Sequence, residues 1–240
     1  MSRISVLPLE GIPEIEEGDD LAGLLAEAAG QAGGFEPGDV LVVAQKAVSK
    51  AEGRVVALSD VEPSEEAHAQ AGDGDPRHVE VILRETARVV RSRPPLVIAE
   101  THHGFVCASA GVDASNAPGA DTVVLLPIDP DASARALHER LGVAVIVSDS
   151  FGRPFRHGTT DVAIGVAGLP PLRDLRGTRD RSGYELKTTQ IAVADEIAGA
   201  AELVMGKTEG VPAAIVRGLE LEGDGNASEL VMPPDRDLFR

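Results

Sequence analysis

Two short, almost wholly apolar runs, Val40–Ala44 and Val143–Val147, restrict the fold of this chain more than any other feature. Each is too short for a buried helix and rich in β-branched residues, so each reads as a strand buried on both faces. Around them, apolar runs alternate with segments of helical period, which is the pattern of an α/β protein. Arg3–Leu9, Leu96–Ala99, Phe105–Ala108, Thr122–Leu126 and Ala213–Val216 read as further strands. Asp19 and Asp20 open a helix with Leu21, Leu24, Leu25 and Ala28 on one face. Asp75-Pro76 and Asp129-Pro130 each pair an N-cap carboxylate with Pro at the first helical position. The first of these helices is expected to hold Val79, Ile82 and Leu83 inward and Arg84, Glu85 and Arg88 outward. A last helix carries Ala194, Ile197, Ala201 and Val204 on one face and stops at Gly206. Beyond Gly223 the sequence turns polar and ends Pro233-Pro234-Asp235-Arg236-Asp237-Leu238-Phe239-Arg240, a tail or linker. The expected organisation is one unit over residues 1–222 and a tail over 223–240.

Charge narrows the function. Thirty-nine acids against 22 bases leave a formal net charge of −17, a field hostile to nucleic-acid backbones and to small polyanions alike. A polyanionic ligand therefore needs a metal or a local basic patch. Residues 151–190 carry seven bases (Arg153, Arg156, Arg173, Arg176, Arg179, Arg181 and Lys187) against four acids, which reads as a solvated loop or as an anion-binding region. The single Cys107, between Val106 and Ala108, rules out an intrachain disulfide and reads as a small buried hydrophobe. No signal peptide and no run of membrane-spanning length is present, so a cytoplasmic location away from membranes is expected.

Candidate chemistry clusters after strands. Asp149-Ser150 follows Val143–Val147, and Asp113 lies in Gly111-Val112-Asp113-Ala114-Ser115-Asn116. Ligands of α/β sheets collect at the carboxyl ends of strands, and an Asp beside a hydroxyl there suits a hard cation such as Mg²⁺ or Mn²⁺. Either Asp alone also serves as an ordinary turn or cap. Lys46 and Lys50 follow Val40–Ala44 and read as point charges for a phosphate or as a basic hairpin tip. Gly206-Lys207-Thr208 mimics the end of a P-loop, but the segment before it reads as helix and the first glycine of the motif falls on Ala201. His102 and His103, adjacent on a strand, would face opposite sides; His68, His78 and His138 fall on solvated helix faces; His157, in the basic stretch, is the one histidine with a functional reading.

Taken together, Leu9-Glu10-Gly11-Ile12-Pro13, Gly38–Val43, Val48–Arg54, Ala110–Asn116, Asp149–Arg153, Ala194–Ala198 and Met205-Gly206-Lys207 resemble, in order, the coenzyme F420-0:L-glutamate ligases, also called F420 γ-glutamyl ligases. The resemblance runs from residue 7 to about 219. It implies an α/β fold with mixed sheets and flanking helices, and a homodimer. It also implies GTP-dependent addition of L-glutamate to coenzyme F420-0, or to its glutamylated or dehydro forms, through an acyl phosphate. Position by position, Asp113 and Asp149 match catalytic positions, and Asp113, Asp149, Ser150 and Glu209 match ligands of Mg²⁺ or Mn²⁺, with K⁺ a further candidate. Glu10, Gly11, Ile12, Pro13, Gln45, Lys50 and Asn116 match positions that contact GTP. The loop Met205, Gly206, Lys207, Thr208, Glu209, Gly210 and Val211 matches another nucleotide segment. Ser150 stands where many relatives have Thr, and Lys207-Thr208-Glu209 replaces a longer acidic stretch. The tail is similar to the linker that leads, in actinobacterial relatives, into a flavin-binding, nitroreductase-like second domain. A non-catalytic nucleotide- or coenzyme-binding module and a metal-dependent GTP phosphohydrolase are the alternatives.

Overall fold

A computed structural model describes residues 3–239. Met1 and Ser2, and Arg240 of the expected tail, lie outside the described residues. The central sheet has the order β1-β12-β2-β8-β9. Its members are β1 (Ser5–Pro8), β2 (Val40–Ala44), β8 (Ala144–Gly152), β9 (Thr159–Ala167) and β12 (Ala213–Arg217). The two apolar runs are its parallel pair, in register from Val40 opposite Ala144 to Ala44 opposite Ser148. All other neighbours are antiparallel, so the sheet is mixed.

Strand alternation sends the two sets of side chains into two cores. Leu41, Val43, Val145, Val147 and Ile215 meet α1 (Leu21–Gln31) and α5 (Pro130–Leu141) on one face. Val40, Val42, Ile146, Ala214 and Val216 meet α6 (Val193–Met205) on the other. The caps form as the sequence predicts. Asp20, Asp75 and Asp129 accept from the backbone amides of Gly23, Arg77 and Ala132, and Gly142 closes α5 in the left-handed region.

Between β2 and β8 the chain builds a smaller lobe. It runs through α2 (Gln45–Ala51), β3 (Val55–Ala57), α3 (Glu65–Ala71), α4 (Pro76–Arg84), β4 (Thr86–Arg93), β5 (Leu96–Thr101), β6 (Val106–Ala108) and β7 (Thr122–Val124). The pair β3-β7 and the sheet β4-β5-β6 close over Val81, Ile82, Val97, Ala99 and Val123. Two short strands, β10 (Arg173–Asp174) and β11 (Gln190–Ile191), pair at the base of an exposed hairpin. Among the described residues, no helix is long and apolar enough to cross a membrane.

Several local expectations change. The α4 helix stops at Arg84, and Arg88 belongs to β4, because Thr86, Val89 and Val90 favour an extended chain. Glu85 is not simply solvated, since it pairs with Arg54 at 2.8 Å. Gln45–Ala51 is a helix rather than a hairpin tip. His102 and His103 lie in the turn after β5, and His103 Nε2 is 2.9 Å from the Pro127 carbonyl oxygen. His78 and His138 are half-buried rather than solvated, and His138 Nδ1 is 2.7 Å from the Val143 carbonyl oxygen. After Gly223, Asn226 and Glu229 form a reciprocal cap on the turn Ala227–Leu230, and Ala227 is fully buried in the second core. Cys107 is buried, and that burial pushes its thiol up to about 12.

Candidate functional site

At the carboxyl ends of the parallel pair β2-β8 the chain leaves a cavity of about 400 Å³. This is where open α/β sheets gather ligands. Five segments wall it: the turn Ile12–Ile15, the first turns of α2, Asn116 of the smaller lobe, the ribbon of β8 and β9, and the end of α6 with the loop that follows. The turn is possible because Gly11 adopts φ +79, a conformation that glycine takes without strain.

One flank is cationic. Lys46 and Lys50 sit one helical turn apart on α2. Lys50 is buried and paired with the Glu14 carboxylate. Lys46 lies 2.7 Å from Asp113 and donates to Ser115 Oγ at 2.6 Å. Burial opposes ionisation of Asp113, but Lys46 and the Ser115 amide and hydroxyl outweigh it and hold the carboxyl below the ordinary range. Gln45 is 1% exposed; its Oε1 accepts from Ser49 Oγ at 2.9 Å, while its Nε2 has no partner among the described residues. A buried amide donor without an acceptor costs about 1–3 kcal/mol unless something completes it.

The opposite flank is acidic. Strand β8 runs past its last partner on β2 and continues as a ribbon with β9, so Asp149 and Ser150 lie within a strand rather than after it. Phe151 and Gly152 continue the ribbon, paired with Thr160 and Thr159. Asp149 has its carboxyl pushed up to about 7, chiefly by burial and further by Asp161 and Asp113, against the Ser150 amide and Lys46. Asp161 is buried and accepts from Ser148 Oγ at 2.9 Å and Ser150 Oγ at 2.5 Å. Glu202 of α6 accepts from the Asp161 amide at 3.2 Å.

The structure brings Ile12, Pro13, Gln45, Lys50, Asn116, Asp149, Ser150, Met205, Gly206, Lys207, Thr208, Gly210 and Val211 to one cavity. Asn116, at φ 55, donates from Nδ2 to the Lys207 carbonyl at 3.2 Å and so ties the smaller lobe to the late loop. Asp113 stands behind Lys46 rather than in the wall, and Glu10 and Gly11 lie outside it. Glu209 is exposed and folded onto its own loop, accepting from the Thr208 amide at 2.8 Å and hydroxyl at 3.0 Å. None of the bases of residues 151–190 lines the cavity. Arg176 is spent on Asp174, and His157 is exposed with the rest of its loop.

Sequence reasoning did not find Glu14, Ser148, Asp161 or Glu202. Asp161 carried a signal, a lone acid inside the small, apolar run Thr159–Ala167, which marks a buried charge once that run is seen as a strand. Among the described residues no three His, Cys, Asp or Glu side chains form a ready metal cage. The donor set still suits a hard cation. It is all oxygen, and Asp149 is pressed toward its neutral form by burial and by its neighbours, a pressure that a divalent ion relieves as well as a proton does.

The family model described as F420-0:Gamma-glutamyl ligase matches residues 11–218. A protein of Methanopyrus kandleri named "Coenzyme F420:L-glutamate ligase" is 49% identical, covering 99% of this chain and 97% of its own length. Proteins of the same name from Methanothermobacter thermautotrophicus and Archaeoglobus fulgidus are 46% and 41% identical, each covering 99% of this chain and 99% and 97% of their own lengths.

Proposed function

Because the chain belongs to the F420-0:γ-glutamyl ligase family, and is thus a ligase of coenzyme F420 biosynthesis, we propose that its cavity joins L-glutamate to coenzyme F420-0 at the expense of GTP. The observation that carries this reading is the segregation of charge across one cavity. On α2, buried Lys50, paired with Glu14, and the Gln45 Nε2, unpartnered among the described residues, offer donors to the cavity, and Asp149, Asp161 and Ser150 line its other side.

In this reading Gln45, Lys50, Asn116 and the loop Met205–Val211 seat the nucleotide, with Lys50 meeting a phosphate as a point charge. A terminal carboxylate of the coenzyme precursor attacks the γ-phosphorus, GDP leaves, and the precursor holds an acyl phosphate. The amine of L-glutamate, having given up its ammonium proton to solvent, then attacks the acyl carbon; phosphate departs with the C–O electrons and takes the extra proton that the amide nitrogen sheds. Mg²⁺ or Mn²⁺ held by Asp113, Asp149 and Ser150, with Glu209 recruited by a loop movement and K⁺ a further candidate, would offset the repulsion between phosphate and carboxylate. The chain's own part is to align the two anions and to keep water from the acyl phosphate, which Met205 and the apolar turn Ile12-Pro13 favour by closing the wall. We further propose that residues 1–222 carry this chemistry and that the working form is a homodimer.

The test is mass spectrometry of coenzyme F420-0 incubated with the protein, L-glutamate, GTP and Mn²⁺. Stepwise glutamyl mass with matching GDP is expected. GDP released without glutamylated product would instead favour a GTP phosphohydrolase, and no turnover of either kind a binding module.

A further inference from the structure

The cavity holds one carboxylate that neither the fold nor the nucleotide reading uses. Glu14 is neutralised by Lys50, and Asp161 spends both oxygens on the hydroxyls of Ser148 and Ser150. Asp149 is assigned to the cation. Glu202 lines the same cavity, and its Oε2 accepts from the Asp161 amide. No hydrogen bond or ion pair engages its other oxygen among the described residues. It is held in place from two rigid elements, α6 that bears it and β9 that donates to it.

An open carboxylate oxygen in a partly desolvated wall asks for a cation. The Gln45 amide, 1% exposed and unpartnered, points independently to a ligand in this cavity, since none of the described residues completes it. Its demand is for an acceptor; that of Glu202 is the opposite. Of the substrates in the proposed reaction, only L-glutamate brings a cationic group, its α-ammonium, which is protonated near neutral pH. We infer that Glu202 receives the ammonium group of the amino-acid substrate, so that the amine enters along the face of α6 that bears Glu202, where β9 packs against it. The inference rests on the ligase reading and adds to it a recognition residue for the nucleophile. A carboxylate there also repels a substrate that offers only carboxylates, so the position selects an amino acid over a plain diacid.

Glu202→Gln tests this, because the amide keeps an acceptor for the Asp161 N–H while removing the charge. Losing one charge-assisted hydrogen bond predicts a rise in KM for L-glutamate of about 10- to 100-fold, with GTP affinity by calorimetry and Mn²⁺ affinity by electron paramagnetic resonance unchanged. An unchanged KM, or a fall in Mn²⁺ affinity alongside it, overturns the inference, the latter by giving the carboxylate to the metal. A second measurement does not depend on turnover. In the presence of GDP and Mn²⁺ the wild-type protein should bind L-glutamate more tightly than glutarate, which lacks the ammonium, and Glu202→Gln should lose that preference. Persistence of the preference in the variant refutes the role of Glu202. Failure of the wild-type protein to glutamylate coenzyme F420-0 would instead refute the ligase reading on which it rests.

Discussion

Replacing Asp149 by Asn should make the metal-free protein more stable and the enzyme inactive. Burial is the main cause of the raised carboxyl, with Asp161 and Asp113 adding to it, and the group titrates at about 7 instead of 3.8. Between those values the folded state keeps a proton that the unfolded chain has shed, so wild-type stability falls as pH rises through this window. At ~1.4 kcal/mol per pH unit the gap sets a ceiling of about 4 kcal/mol, and solvent reaching the open cavity reduces it to about 1–2 kcal/mol. The amide has no proton to lose. Its advantage over the carboxylate should therefore grow from about pH 4 to about pH 7 and level off above that. Urea denaturation of both proteins with EDTA, at several pH values across that range, measures the difference directly. Adding Mn²⁺ should then stabilise the wild-type protein and not the variant. An advantage that is absent, independent of pH, or greatest in acid would refute the account of Asp149 as a carboxylate held under electrostatic strain.

Lys50→Ala should weaken GTP binding by on the order of 1–3 kcal/mol in a calorimetric titration, the worth of one charge-assisted contact, and unchanged affinity removes Lys50 from the site. Gly165→Ala should cost on the order of 1–3 kcal/mol in chemical denaturation through overpacking, because a Cβ there would lie 2.1 Å from the Pro130 carbonyl oxygen; a neutral result would mean that α5 slides freely on β9. Arg217→Met should cost on the order of 3–5 kcal/mol at neutral pH, since it strips the buried Asp39 of bonds at 2.8 and 2.9 Å. Burial alone would raise the Asp39 carboxyl, yet Arg217 and the Glu36 amide lower it. Its stabilising contribution is therefore present above about pH 3.8 and lost as pH falls through the lowered value, and the Arg217→Met deficit should shrink in acid in the same denaturation assay.

What the sequence made legible were features with a local cause. Val40–Ala44 is a strand because five apolar residues must be buried on both faces, and its boundaries are those found. The three Asp caps and the stop at Gly206 are equally local. Strand β9 was not legible, because its small residues and its Asp gain meaning only when α5 and α6 cover it. The same gap hid the acidic side of the cavity. Asp149 and Ser150 were visible from the strand before them, but Asp161 becomes their neighbour through hairpin pairing and Glu202 through helix packing. The Arg-rich stretch misled in the opposite way. Composition cannot tell a base aimed into a cavity from one spent on an adjacent acid, as Arg176 is on Asp174.

How a chain of net charge −17 accommodates anions turns on where it places few cations rather than on how many it has. Three lysines line the cavity; Lys207 lies on the loop after α6, and the two on the short helix after β2 each already hold a carboxylate, Glu14 on Lys50 and Asp113 on Lys46. A phosphate that arrives at Lys46 or Lys50 must therefore exchange with a protein carboxylate, and the released carboxylate needs a cation of its own. For Asp113 that need coincides with the strain on Asp149, since Asp113 already adds to the cost of ionising Asp149. Under the proposed function, nucleotide and divalent ion thus favour one another: the phosphate frees the carboxylate that the ion requires, and the ion offsets the repulsion that the phosphate meets. Binding of GDP should tighten when Mn²⁺ is present, and Asp113→Asn should reduce that coupling, whereas equal GDP affinity with and without Mn²⁺ would show that Lys46 and Asp113 act independently of the nucleotide.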